Sequence, residues 1–392
     1  MSFKYVSLYS LAEWKNGLAF KQIHFAGQGK PVIKIAELKN GITAQTAYTQ
    51  QTFDDSVYLT KGDMVFSWSG NPETSIDVFW YNLPNGWLNQ HIFKVTPNEG
   101  VHKLYLYYLL KSLKPQFTAI ASNKQTTGLG HVTIRDMKEM MIELPDYDIQ
   151  KSVGEYLYSI DQKVCINQRI NDNLEQQAQA IFSERFEKVS SEDLPAGWRV
   201  VSLGEVATIS NKSFNPLKEA KRILEHYSIP AFDEARFPVF EPSTSIKSNK
   251  FVIDTSCFMI SKLNPTTKRV WKPYCLTENA VCSTEFIVYK AKNEFITDFL
   301  YSVINSNSFS DFMCSHVTGS TGSRQRTTPS DTLSYEMVLP TEDELTEFQS
   351  LVSPMYAQMR INAIENDKLK QLRDSLLPKL MSGDLDVSGI NI

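Results

Sequence analysis

The sequence predicts an α+β protein built from two tandem globular α/β units, each followed by a long helix. A repeat at an offset of 195 residues carries the prediction, because Val6–Leu8 returns as Val201–Leu203 and Leu144–Pro145 returns as Leu339–Pro340. In addition, 392 residues with 42% apolar and 11% aromatic content exceed one ordinary hydrophobic core. A period this long excludes a solenoid and indicates a duplicated chain.

The repeat divides the chain into four predicted segments. They are a first globular domain at 1–147, a first spacer helix at 148–188, a second globular domain at 189–341, and a second spacer helix with the C-terminal tail at 342–392.

Short runs rich in β-branched and aromatic residues predict the strands of each domain. These runs are KPVIKIAEL, GDMVFSW and QHIFKV in the first domain, and FVIDTSCFMIS and STEFIVYK in the second. Residues 104–113 and 295–304 are predicted to be short helices.

The second long helix has a recognisable start. Thr341 followed by Glu344 is typical of a capping box, in which both side chains satisfy unpaired backbone N–H groups. Pro354 lacks a backbone donor and predicts a kink or a restart with Ser353 as the N-cap, and Pro378 predicts the helix end.

Two asparagines interrupt the apolar seam of each long helix. At 3.5-residue spacing, the seams comprise Val153, Leu157, Ile160, Val164, Asn167, Asn171, Leu174, Ala178 and Ile181, and then Phe348, Val352, Met355, Met359, Asn362, Asn366, Leu369, Arg373 and Leu376. Because the asparagines recur at matching positions, chance placement is disfavoured. In an antiparallel pairing with pseudo-two-fold symmetry, Asn167 would face Asn366 and Asn171 would face Asn362, which would fix the register.

Charge and targeting signals favour a soluble cytoplasmic protein. The net charge of −4 arises in the helical segments, since residues 146–190 hold 5 Lys and Arg against 8 Asp and Glu. The globular domains remain neutral or positive, so a basic face is possible there. No signal peptide or membrane-spanning run is expected. The five cysteines contain no Cys-x-x-Cys pair, which favours buried reduced thiols over a metal or disulfide framework.

Several segments resemble the specificity subunits of type I restriction-modification systems. LPAGWRVVSLGEVATIS from Leu194 is similar to the opening of a target-recognition domain in that family. TKGDMVFSWSG and NQHIFKVTP are similar to its middle strands, and TTGLGHVTIRDMKEMMIELP and TGSTGSRQRTTPSDTLSYEMVLP to its closing segments. LRDSLLPKLMSGDL looks like its C-terminal ending.

This resemblance implies a non-catalytic subunit without a cofactor. Each target-recognition domain would read one half of an asymmetric bipartite site in double-stranded DNA. The helices would form an antiparallel coiled coil that sets the spacing. Two modification (methyltransferase) subunits would bind around them, and restriction or translocase subunits would complete the complex.

Candidate DNA contacts lie in polar loops, because phosphates require cations and base edges require planar donors and acceptors. They are Arg324, Gln325, Arg326, Asn264, Lys268, Arg269 and Lys272 in the second domain, and Lys124, Gln125, Thr126, Thr127, His131, Trp68, Ser69 and Asn71 in the first. Solvated surface loops remain the alternative, and Trp68 is also typical of a core residue.

Two other classes of protein stay open. One is a coiled-coil scaffold without DNA readout. The other is an autonomous nuclease or methyltransferase, which the sequence disfavours because Asn71-Pro72 and Asn264-Pro265 lack the second proline and aromatic residue of an amino-methyltransferase motif. No Walker lysine or paired histidine metal spacing is present.

Overall fold

The computed structural model describes residues 3–125, 128–189, 193–218, 222–319 and 325–385. The chain divides into two compact units. The first comprises Met1–Lys163 together with Lys368–Ile392, and the second comprises Val164–Asp367. Each unit therefore combines one globular part with portions of both long helices.

The strands of the first unit alternate with short loops through its globular part. In chain order they are β1 (Phe3–Ser7), β2 (Ala12–Asn16), β3 (Lys30–Ile33), β4 (Tyr48–Thr49), β5 (Tyr58–Leu59), β6 (Met64–Ser67), β7 (Ser69–Gly70), β8 (Asp77–Trp80), β9 (Gly86–Leu88), β10 (Ile92–Pro97), β11 (Gly130–His131) and β12 (Met141–Pro145). Its helices are α1 (Ile35–Asn40), α2 (Lys103–Ser112), α3 (Lys114–Asn123), α4 (Ile134–Glu139) and α5 (Tyr147–Phe182), the last of which continues into the second unit.

Two four-stranded sheets form the first globular part. The antiparallel sheet has the order β2-β10-β6-β8 and contributes Phe66 to a core that includes Tyr105 of α2 and Phe117 of α3. The other sheet has the order β4-β3-β9-β5, in which β3 and β9 run parallel, and it buries Ile33 and Trp87 in a separate core.

The second unit has a closely similar series of strands. They are β13 (Arg199–Ser202), β14 (Ala207–Ile209), β15 (Ser213–Phe214), β16 (Ile223–Tyr227), β17 (Val239–Pro242), β18 (Lys250–Val252), β19 (Cys257–Ser261), β20 (Val270–Trp271), β21 (Ala280–Ser283), β22 (Phe286–Ala291), β23 (Val317–Thr318), β24 (Arg326–Thr327) and β25 (Glu336–Leu339). Its helices are α6 (Leu203–Val206), α7 (Ile229–Ala235), α8 (Thr297–Ile304), α9 (Asn307–Ser315) and α10 (Glu342–Met381), which continues into the first unit.

The strand order of the second unit repeats that of the first. The sheet β14-β22-β19-β20 corresponds strand for strand to β2-β10-β6-β8. The second sheet, β15-β18-β21-β16-β17, contains the parallel pair β16 and β21, which corresponds to β3 and β9. The two globular parts share one topology although most of their side chains differ.

The long helix α10 begins where the sequence predicts, but it neither restarts at Pro354 nor ends at Pro378. Glu344 Oε2 accepts the Thr341 backbone N–H at 3.1 Å, and Thr341 Oγ1 accepts the Glu344 backbone N–H at 3.4 Å, so the capping box is present. The predicted restart at Pro354 is wrong, because α10 is one helix of 40 residues. Ser353 donates its hydroxyl to Asp298 and does not cap a helix. The helix also passes Pro378, since a proline removes only its own N–H and the last turn retains its other bonds.

One predicted strand is partly helical. The run KPVIKIAEL forms β3 and then α1, because the Glu37 carboxylate accepts the Lys34 N–H at 3.0 Å and caps the helix start. The predicted short helices at 104–113 and 295–304 correspond to α2 and α8.

The described ranges contain no disulfide. All five thiols are free, and Cys257 and Cys282 are buried, whereas Cys165, Cys275 and Cys314 are only half-buried. Burial raises the pKa of the Cys257 thiol to about 11. Within the described ranges, no helix combines the length and apolarity needed to cross a membrane. No cluster of three or more potential metal ligands occurs there either.

Candidate nucleic-acid interface

In the first unit, two segments far apart in sequence meet directly after β6. Strand β7 pairs antiparallel with β11, which places Ser69 opposite His131. Val132 N donates to the Trp68 carbonyl at 2.8 Å. Gly130 also lets β11 pack closely on α3, because a Cβ there would lie 2.2 Å from the Ala121 carbonyl oxygen. We call residues 68–71 and 130–132 the first junction.

The second unit joins the equivalent segments directly after β19, with a register shifted by one residue. Leu263 bridges Arg326, and Asn264 N donates to the Gln325 carbonyl at 2.9 Å. Thr327 N donates to the Lys262 carbonyl at 3.1 Å. We call residues 262–264 and 325–327 the second junction. Its Asn264 and Arg326 lie 195 residues after Ser69 and His131, so the repeat places candidate residues of both domains in equivalent positions.

Side chains of the first junction are partly held by internal bonds. Trp68 is half-buried against His91 and Phe93, and its Nε1 donates to Asn16 Oδ1 at 3.0 Å. Asn71 is exposed, but its Oδ1 accepts two backbone N–H groups of the following turn at 3.1 Å. Ser69 and His131, both half-buried, stay available as polar side chains on the paired strands.

The loop before β11 carries the other first-domain candidates. Lys124 forms an ion pair with Asp136, and Gln125 is exposed. Hydrogen bonds from Thr133 and Lys124 hold the pKa of the Asp136 carboxyl below its ordinary value, although burial alone would raise it. Thr126 and Thr127 lie outside the described residues.

In the second junction, Arg326 is the best-oriented cation. Its guanidinium donates to both carboxylate oxygens of Glu285, with Nε to Oε2 at 2.9 Å and Nη2 to Oε1 at 3.0 Å. The hydrogen bond from Arg326 lowers the pKa of the Glu285 carboxyl. The Arg326 side chain remains 43% exposed, so one face is open to solvent. Gln325 is half-buried beside it, and Arg324 lies outside the described residues.

Asn264 has the most unusual backbone of the candidate residues. Its φ is 48°, in the left-handed region that asparagine tolerates better than most residues. Its buried Oδ1 has no hydrogen-bond partner among the described residues. An unpaired buried acceptor is costly, which makes Asn264 a strong candidate for a contact with a donor from outside the chain.

The basic loop after Asn264 is tied to its own domain. Arg269 donates two hydrogen bonds to Asp233, at 2.6 and 2.9 Å, and its side chain is only 14% exposed. Lys272 pairs with Asp298. Lys268 donates to a backbone carbonyl, and burial lowers the pKa of its ammonium group. DNA phosphates would compete with these partners for the three cations.

Sequence reasoning missed residues that support the junctions. Glu285 orients Arg326, and Asn16 orients Trp68, but each comes from a distant strand or turn that shares no motif with its partner. Lys262 belongs to the second junction and precedes Asn264 in the basic loop KLNPTTKRVWK, so the loop composition could have identified it.

The four seam asparagines form two side-chain pairs within the second unit. Asn167 is 1% exposed, and its Nδ2 donates to Asn366 Oδ1 at 2.9 Å and to Glu365 Oε2 at 2.7 Å. Asn362 Nδ2 donates to Asn171 Oδ1 at 2.8 Å. These pairs have the partners that the sequence hypothesis assigned to them.

Apolar and charged contacts continue along the helices inside each unit. In the second unit, Phe182 packs against Phe348 at a ring distance of 6.2 Å. In the first unit, Leu157 and Leu380 belong to one core, and Arg373 donates to Asp161 at 2.6 Å.

These features define a duplicated α+β recognition protein with one polar junction in each unit. Residues 2–176 match the family model described as the type I restriction modification DNA specificity domain. The chain is thus similar to the specificity subunits of type I restriction-modification systems.

Relatives extend the similarity over nearly the whole chain. The type I restriction enzyme MjaIX specificity subunit of Methanocaldococcus jannaschii is 23% identical, over 92% of this chain and 91% of the relative. The HindI specificity subunit of Haemophilus influenzae is 21% identical, over 83% and 87%. The crystal structure of the type I S subunit from M. genitalium has a TM-score of 0.54 at 16% identity, covers 97% and 96% of the two chains, and supports the fold.

Proposed function

We propose that this chain provides DNA sequence specificity to a type I restriction-modification complex and that each globular domain reads one half of an asymmetric bipartite site. The supporting observation is the pair of junctions. Each junction joins the same two segments of its unit, with a register that differs by one residue, and the two carry different side chains, Ser69 and His131 in one and Asn264 and Arg326 in the other. Equivalent positions with different hydrogen-bonding groups suit two different base sequences.

The second junction has the chemistry of direct base readout. Arginine recognises O6 and N7 of guanine with two parallel donors, and Glu285 already fixes the plane of the Arg326 guanidinium. A fixed side chain loses less conformational entropy on binding, which favours a specific contact over a mobile phosphate contact. Lys268, the exposed cation of the loop, would supply a phosphate contact.

The long helices are proposed to form an antiparallel coiled coil. In the second unit, contacts move toward the start of α10 as they move toward the end of α5, since Asn167 meets Asn366 and Asn171 meets Asn362. Polar pairs on an apolar seam disfavour shifted registers. A fixed register would fix the separation of the half-sites, which for two-fold proteins is about 34–36 Å or a multiple.

The same proposal assigns partners to the chain. Double-stranded DNA is its ligand, two modification subunits bind the duplicated scaffold, and restriction or translocase subunits complete the assembly. The chain itself is proposed to be non-catalytic and to need no cofactor. The salt dependence of DNA binding distinguishes this proposal from a coiled-coil scaffold without DNA readout. A protein that neutralises several phosphates loses DNA affinity steeply as the salt concentration rises.

Methylome sequencing tests whether each domain recognises its own half-site. Cells would express the chain with its modification partner, and long-read sequencing would report both half-sites and their spacing. Arg326→Ala is expected to relax one position of one half-site, at a cost of about 1–3 kcal/mol for that base pair, and to leave the other half-site unchanged.

Arg135→Ala is a matched control, because Arg135 is a highly exposed arginine paired only with Glu139 on the same helix in the described structure. It is expected to leave both half-sites intact. If Arg326→Ala relaxed both half-sites equally, the proposal that each domain recognises its own half-site would be wrong.

A further inference from the structure

A cavity of about 440 Å³ lies within the second unit, on the side of β20 that faces the long helices. Four aromatic residues are among those that line it: Trp271 at the end of β20, Tyr274 just after it, Tyr301 of α8 and Tyr356 of α10. The volume falls in the range of small-molecule sites, which are about 300–1,000 Å³. No residue of either junction lines this cavity, although Lys272, one of the candidate DNA contacts, does.

The charged groups inside the cavity are largely paired with one another. Arg236 donates to Glu175 at 2.7 Å, and Lys272 pairs with Asp298. The opposite charges within each pair balance, so neither pair requires a counter-ion from a ligand. Their carboxylates can still accept hydrogen bonds from hydroxyl or amino groups.

Arg360 is the cation without a carboxylate partner. It is exposed at the cavity, and its one hydrogen bond within the described ranges runs from Nη2 to the Tyr274 carbonyl at 3.3 Å. No carboxylate of the described residues lies within ion-pair distance of it. Its guanidinium can therefore bind an anion without breaking an internal salt bridge.

Trp271 supplies an aromatic wall. The residue is only 3% exposed, and its ring makes edge contacts with Tyr227 at 4.7 Å and Phe232 at 5.3 Å. These contacts hold the ring in place, so the tryptophan offers a fixed aromatic surface.

Part of the cavity lining is particular to the second unit. Trp271 has a counterpart in Trp80, because the two tryptophans lie opposite the equivalent Met259 and Met64. The residues 195 positions before Tyr356 and Arg360, however, are Asp161 and Cys165. A partner that binds both repeats in the same way would use features common to both, and Tyr356 and Arg360 are not, so the site suits a small ligand better than a shared protein partner.

We propose that this cavity binds a nucleoside 5′-monophosphate, with the base against the aromatic side chains and the phosphate on Arg360. Aromatic walls favour a planar ring, and a single anion matches the single uncommitted arginine. The paired carboxylates accept hydrogen bonds from the ribose hydroxyls or an exocyclic amine.

Isothermal titration calorimetry on the full chain tests the proposal with AMP, GMP, CMP and UMP, and with adenosine and inorganic phosphate. At least one nucleotide is expected to bind with a Kd below about 1 mM. Arg360→Ala should weaken it about tenfold without changing nucleoside binding, because it removes one charged hydrogen-bonding group. Trp271→Phe should weaken both nucleotide and nucleoside.

Arg169→Ala provides the matched control, since Arg169 is an exposed arginine of α5 outside the cavity lining. It is expected to leave nucleotide affinity unchanged. Arg360 is itself exposed, so its replacement should preserve the fold, which circular dichroism checks. Absence of binding by all four nucleotides, equal binding of inorganic phosphate, or unchanged affinity in Arg360→Ala would each overturn the proposal.

Discussion

Removing one asparagine of a buried pair should destabilise the second unit more than removing both. Asn167 and Asn366 are 1% and 6% exposed and share a 2.9 Å hydrogen bond. Asn167→Leu leaves the Asn366 carbonyl oxygen buried without that donor, and it also removes a donor from Glu365. We expect a loss of about 1–3 kcal/mol in the free energy of unfolding, the usual cost of an unsatisfied buried polar group.

The double variant Asn167→Leu plus Asn366→Leu replaces both partners by apolar groups of similar size. Such replacements are often nearly neutral, so we expect it to lie within about 1 kcal/mol of the parent chain. Urea unfolding of the parent, both single variants and the double variant gives the coupling energy of the pair. Gln168→Ala, at an exposed neighbouring position, is the control and should change little.

Additive losses in the double variant would refute the assignment of the pair as mutually dependent. The specificity role is tested separately by replacing all four seam asparagines with leucine. Unchanged half-site spacing together with full assembly would show that the asparagines do not set the register.

Three further predictions concern single positions. Gly130→Ala should weaken the first junction and relax the half-site read by the first domain, as reported by methylome sequencing, because its Cβ would lie 2.2 Å from a carbonyl oxygen of α3. Tyr108→Phe should cost about 1.5–3 kcal/mol in urea unfolding, since the buried hydroxyl donates to the Asp161 carboxylate at 2.6 Å. Partial burial alone would raise the pKa of Asp254, but hydrogen bonds, with Lys290 first, lower it from 3.8 to about 2. The folded-state pKa is the lower one, so its contribution is present above pH ~4 and lost as the pH falls toward about 2, a dependence that Asp254→Asn should abolish in unfolding measured at several pH values.

Much of the architecture was predictable because each sequence pattern occurs in both repeats. A strand pattern that occurs once could be accidental, whereas β6 and β10 recur as β19 and β22 in matching order. The asparagine pairs were predictable for the same reason. Pro354 misled the helix prediction because local propensity ignores tertiary packing. The flanking Val352 and Tyr356 are buried in the second core and hold the helix through the proline.

The candidate site was less predictable than the fold. Loop composition identified residues of both junctions but could not show that Ser69 lies opposite His131. Local sequence patterns carry little information on contacts between segments that are far apart in the chain. The same limit applies to Arg269, whose charge suggested phosphate binding before its pairing with Asp233 was known. Which cations can contact DNA depends on ion pairs of this kind within the protein.

The contribution of α10 to the first core affects the order in which the chain can fold during synthesis. Leu380 is 4% exposed in the same core as Val153 and Leu157, so the first unit lacks part of its interior until the last helix has been made. The second unit occupies the intervening 200 or so residues, which at roughly 5–20 residues per second corresponds to a delay of about 10–40 s on the ribosome. A chain truncated before Lys368 would therefore damage the domain made first, and its exposed core would be a target for chaperones and proteases.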